Sequence, residues 1–159
     1  MKRAKYISIP AVYRRAVVHP ARSREDVVRS VASETWDQLM EIYRSFLAWS
    51  SAYADENVDY QQEPKQRREQ VSRGLSGFSN YYSPRSVWFE RQTCKAIEKF
   101  IETCEALRSE FVDEISKRGY SRRVRANMAE RASTELGPLR KEALSNLQQE
   151  LRKSYKPKL

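Results

Sequence analysis

Apolar residues recur along this chain at steps of four and three. From Val28 a seam runs through Ala32, Thr35, Leu39, Ile42, Phe46, Trp49 and Tyr53, the rhythm that keeps one face of an α-helix turned toward a partner. A second stripe, Trp36, Met40, Tyr43 and Leu47, follows one step over. Two adjacent stripes make a face broader than one partner helix covers, so this helix is expected to pack against at least two others. Ser23, with Asp26 three residues on, reads as a capping box at its start.

The polar stretch ADENVDYQQEP has no periodicity and predicts an interhelix loop, with Pro64 suited to the first turn of a second helix. Val71, Leu75, Phe78 and Tyr82 form that helix's apolar stripe, and Gly74 and Gly77 would admit a close neighbour. Pro84 disfavours helical geometry at Ser83, so NYYSPRSVWFE predicts a break, with Tyr81, Tyr82, Trp88 and Phe89 packed around it. A third helix is predicted from about residue 90 to 117, where Thr93, Ile97, Phe100, Cys104, Leu107 and Phe111 repeat the four-three step.

Gly119 marks the end of that helix, behind Lys117 and Arg118. A fourth helical stretch starts near Ser121 with Val124, Met128 and Ala132, and Gly137-Pro138 is expected to break or kink it. The last helix turns Leu139, Ala143, Leu147 and Leu151 inward and leaves Arg140, Lys141, Arg152 and Lys153 on its solvated side. The pattern predicts an all-α protein, an antiparallel helical bundle or coiled-coil hairpin. A basic N-terminal arm (1–22) precedes a three-helix antiparallel core (23–117), followed by a basic C-terminal helical region (118–159) with a disordered tail. The arm, KYISIPAVYRRAVVHP, suits a short strand, an extended segment or one helical turn.

Composition sharpens this in one respect. The 159 residues carry a net charge of +9, and it is unevenly spread. Residues 1–24 hold seven Lys or Arg and no acid, residues 25–114 eleven bases and seventeen acids, and residues 115–159 twelve bases and four acids. Basic ends around an acidic middle speak of partners rather than of a reaction. No apolar run is long enough to span a bilayer, and the basic N-terminus lacks the apolar core of a secretory signal, so the expected compartment is cytoplasmic. An acid-free, Arg-containing start also resembles an organelle transit peptide.

From ETWDQLMEIYRSFLAWSSAY through FSNYYSPRSVWFERQTCKAIEKFIETCEALRSEF the chain resembles a loose group of uncharacterised bacterial proteins. YYSPRSVWF and CKAIEKFIETC carry the likeness, which covers about residues 34–112. It implies a helical hairpin and brings no activity, cofactor or site with it.

Catalytic parts are few. His19 is the single histidine, and no phosphate-cradling glycine loop, HExxH or CxxC occurs. Cys94 and Cys104 lie ten apart on one predicted helix, about 15 Å along its axis, too far for a disulfide. Both read as small buried hydrophobes. Asp55, Asn57 and Asp59 start like a calcium loop, but Tyr60 stands where the turn needs Gly and Gln66 where a bidentate Glu belongs. The acid pair Glu98 and Glu102 reads as solvated helix surface. Neither enzyme, cofactor, metal nor small-molecule substrate is expected.

Two readings of function remain. The first is a scaffold or adaptor acting through protein contacts or self-association, with Trp36, Met40, Tyr43, Leu47 and Trp49 as its interaction face. The second is nucleic-acid binding centred on RGYSRRVRAN, with Arg118, Arg122, Arg123, Arg125 and Arg131, and Arg14 and Arg15 of the arm, on phosphates and Tyr120 as a stacking surface. A membrane-surface role is disfavoured, because the last helix offers no large aromatic anchor besides Tyr155.

Overall fold

The computed structural model describes residues 23–50 and 63–155. The N-terminal arm with Arg14, Arg15 and His19, the calcium-like Asp55, Asn57 and Asp59, and the end of the tail lie outside the described residues. Every regular element among the described residues is helical. Helix α1 spans Arg24–Trp49, α2 Lys65–Tyr82, and a 3-10 segment, Ser83–Trp88, leads to α3, Arg91–Arg118. Helix α4 spans Arg122–Arg131. It passes through a π-helical turn, Ala132–Leu136, into α5, Gly137–Ser154.

Helix α1 begins where its sequence dictates. The Asp26 N–H donates to Ser23 Oγ at 3.1 Å, and the Ser23 N–H donates to Asp26 Oδ2 at 3.3 Å, so two otherwise unpaired donors are satisfied reciprocally. The helix packs most extensively on α5 and on α2, while α5 also packs on α3. One core results. Phe111 meets both Trp49 and Phe46 edge-on, at 5.7 Å and 6.2 Å between ring centroids. Phe78 stacks on Tyr82 at 5.4 Å.

Four details differ from the pattern reading. The 3-10 segment, rather than a plain break, accommodates Pro84. Gly74 does face a neighbour, Ile42 Cγ1 at 3.4 Å from the position a Cβ would take, but Gly77 has nothing within 4 Å. Pro138 does not stop its helix: backbone angles stay right-handed helical through Leu136 and Gly137. Proline removes an N–H and crowds the carbonyl four residues back, and the wider π turn just before it accommodates that loss. Finally, Arg140 leaves the solvated side of α5 and lies over the Tyr43 ring at 4.3 Å, reaching Met40 Sδ at 4.0 Å.

Candidate nucleic-acid interface

The arginine-rich segment forms a corner between α3 and α4. Its shape begins at Gly119, with φ +77° and ψ 179°, a combination open in practice only to glycine. The Gly119 N–H closes α3 on the Ile115 carbonyl at 2.8 Å, and the chain then reverses. Tyr120 drops into the core, 3% exposed, and its hydroxyl donates to the Trp49 main-chain carbonyl at the end of α1. Ser121 caps the next helix, accepting the Val124 N–H at 3.2 Å.

Arg122 and Arg123 follow as the exposed first turn of α4, with Arg118 exposed on the other side of the reversal. No acid lies in that first turn, and none occurs between Ile115 and Ala129. The free N–H groups and dipole of a helix start add to the same sign of potential. Arg118 Nε, on an exposed side chain, lies 3.3 Å from Oε1 of the half-buried Glu114.

Arg125 and Arg131 are less exposed. Arg125 is half-buried over the Tyr120 ring at 5.5 Å. Arg131 bridges Glu110 at 2.5 Å and Glu135 at 2.7 Å and lies over Phe111 at 5.8 Å. Hydrogen bonding to Glu135 first, then to Glu110, raises its guanidinium pKa above the usual arginine value. Tyr120, read from sequence as a stacking surface, is corrected by its burial: its ring is core.

The apolar face of α1 is also turned inward. Trp49 is fully buried and Tyr43 nearly so, while Trp36, Met40 and Leu47 are half-buried. Trp49 Nε1 donates to Glu63 at 2.5 Å, and the same carboxylate accepts Arg68 Nε at 2.9 Å. Glu63 and Arg68 edge an open cleft of about 480 Å³ that also includes Lys65, Glu69, Ile115 and Tyr120.

Sequence reasoning passed over Glu150. It is 6% exposed, and its Oε1 accepts the Glu90 N–H at 3.0 Å and the Thr93 hydroxyl at 2.9 Å. Glu90 is the N-cap of α3 and brings no capping side chain of its own. A carboxylate from α5 therefore satisfies the start of α3, with Lys153 on Glu90 at 2.5 Å beside it. No local motif marks such a cap, since its two halves lie sixty residues apart.

Burial pushes the thiol of Cys104 well above the usual cysteine range, with the Glu105 charge adding to it. The Tyr82 phenol is raised by burial and, after that, by the neighbouring Cys94 thiol, and its hydroxyl has no hydrogen-bond partner. Among the described residues, no three His, Cys, Asp or Glu side chains are grouped to hold a metal ion, and no helix is long and apolar enough to cross a membrane. Comparison of the chain with protein-family models, with curated proteins and with solved structures finds no match.

Proposed function

We propose that this chain is an antiparallel helical bundle that binds nucleic acid through phosphate contacts at the α3–α4 corner, without catalysing a reaction. The observation that carries the reading is the exposure of Arg118, Arg122 and Arg123 around an acid-free helix start. Arginine offers a planar fork for phosphate oxygens, and the corner is held to the core by Tyr120 and Gly119. With Tyr120 interior, the contacts fall on the backbone rather than on bases, so affinity depends on salt and little on sequence. A binding role also suits the groups most displaced in their titration: Cys104 and Tyr82 are held neutral by apolar packing, the opposite of an activated nucleophile.

The adaptor reading ranks second. It rests on the α1 face, and α5 already occupies part of that face through Arg140 on Tyr43 and Met40.

The test is fluorescence anisotropy of labelled duplex and single-stranded DNA and RNA with the full chain, at low and at moderate salt. Wild type is expected to bind with a steep salt dependence. R118A/R122A/R123A is expected to retain its helical circular dichroism, bind more weakly to every sequence and lose about one unit of salt slope per arginine. Absence of binding at low salt, or a triple variant that binds like wild type, rejects the proposal.

A further inference from the structure

The end of the bundle remote from the arginine corner gathers features that the nucleic-acid reading does not use. Arg24, in the first turn of α1, lies over the Trp88 ring at 5.7 Å, and Arg29 lies over the Tyr155 ring at 4.7 Å. These two arginines are five residues apart on one helix, about 7.5 Å along its axis. They therefore bring the 3-10 segment and the end of α5 to the same place. Glu90 confirms the placement from α3, through its contacts with Glu150 and Lys153. Val87 at 74% and Tyr155 at 67% are the exposed large hydrophobic residues among those described, and both stand here. Trp88 beside them is half-buried.

Cations surround these side chains. Arg24, Arg91, Arg152 and Lys153 are exposed, and Arg85 is half-buried. The acids of this end are largely engaged: Asp26 with Ser23 and Arg29, Glu90 with Lys153, and Glu150 in its cap. Residues 1–22, joined to the bundle at Ser23, add six Lys or Arg and no acid, and residues 156–159, joined at Tyr155, add Lys156 and Lys158. Both basic segments thus attach to the end that carries the exposed apolar tips.

We propose that this end docks on an anionic lipid surface, with Val87, Trp88 and Tyr155 entering the headgroup region and the surrounding cations meeting lipid phosphates. Aromatic and aliphatic tips ringed by Lys and Arg suit an interface that is apolar below and negatively charged above. Neither signal suffices alone, and two together give stable attachment. From sequence, Tyr155 stood as an isolated anchor on the last helix. The fold supplies its companions from the 3-10 segment. This proposal goes beyond nucleic-acid binding and does not depend on it, because it uses the opposite end of the molecule.

Co-sedimentation of the full chain with vesicles tests it, using phosphatidylcholine alone and phosphatidylcholine mixed with phosphatidylglycerol. Wild type is expected to sediment with the mixed vesicles and not with the neutral ones. V87D/Y155S changes two exposed positions, is expected to melt like wild type, and should bind mixed vesicles about tenfold more weakly. R122A/R123A, at the other end, should bind them as wild type does. The proposal is overturned if wild type ignores the mixed vesicles or if V87D/Y155S binds them undiminished. It is equally overturned if that double variant loses nucleic acid while keeping lipid, since the end would then serve the other polyanion.

Discussion

Tyr120 and Trp49 are joined by a hydrogen bond across the end of the bundle: the phenol of one donates to the main-chain carbonyl of the other. The last carbonyls of a helix have no partner within it, so this bond satisfies one at the end of α1. It also fixes the place of the arginine corner, because Tyr120 lies between Gly119 and the cap of α4. Tyr120→Phe keeps the ring in the core and leaves the carbonyl without that donor. The expected cost is about 1–2 kcal/mol in urea denaturation. Nucleic-acid affinity measured on the folded variant should stay close to wild type, since the ring that remains still seats the corner in the core.

Gly119 should tolerate no side chain. A Cβ there would meet no neighbouring atom within 4 Å, so any penalty comes from the backbone angles alone. Gly119→Ala is expected to cost about 1–3 kcal/mol, read as a lowered midpoint in urea. A loss near zero would show that the turn can relax.

Glu150 separates two kinds of substitution. Glu150→Ala deprives the Glu90 N–H and the Thr93 hydroxyl of their acceptor in a buried place and is expected to destabilise the protein by about 2–3 kcal/mol. Glu150→Gln keeps a carbonyl oxygen in the same position and should cost less than half as much. Equal losses in thermal melts of the two variants would mean that charge, not hydrogen bonding, carries the contact.

Alkaline pH should weaken the fold. Burial raises the folded-state pKa values of Cys104 and Tyr82 above the ordinary 9.0 of a thiol and 10.0 of a phenol. Above those values the unfolded chain releases protons that the folded chain retains, so the folded state holds more protons and stability falls as pH rises. The decline begins near pH 9 and steepens past pH 10, by up to about 1.4 kcal/mol per pH unit for each group. Cys104→Ala and Tyr82→Phe should each flatten the curve. Tyr82→Phe also removes a buried hydroxyl without a partner, so at neutral pH it should be neutral or stabilising. In the folded protein Cys104 should resist iodoacetamide, and mass spectrometry should find it alkylated only after denaturation.

The seam of α1 was legible residue by residue because burial there follows helical period. Val28, Ala32, Thr35, Leu39, Ile42, Phe46 and Trp49 are all buried. The stripe of α5 was legible only in part. Leu139 and Leu151 are half-buried, whereas Asn146, Glu150 and Ser154 join Ala143 and Leu147 inside. Polarity alone reads Glu150 as solvated, and only the donors arriving from α3 make its burial tolerable. Tyr120 misled for a related reason. Its arginine neighbours suggest surface, and the glycine before it turns the ring inward. The arginines themselves were partly legible: charge density located the corner, but it could not separate the exposed Arg122 and Arg123 from the half-buried Arg131, which Glu110 of another helix draws inward.

The π turn at Ala132–Leu136 has a further consequence, for how the chain tolerates insertion and deletion. Val124, Met128, Ala132 and Leu136 are all buried, at three successive steps of four. In a regular α-helix each such step overruns a full turn by about 40°, and the face would drift away from the core. The wider turn takes up the drift of the last step, from Ala132 to Leu136. Removing one residue between 132 and 136 would restore an unbroken α-helix at local profit. Because the wider turn already holds about one extra residue, tightening it on deletion regains the angle lost, so Val124 and Met128 stay toward the core and Arg122 and Arg123 keep their place. This short stretch is therefore a reserve of length: a codon lost there is absorbed by the turn, whereas one lost within the regular part of α4 or α5 would rotate the arginine corner by about 100°.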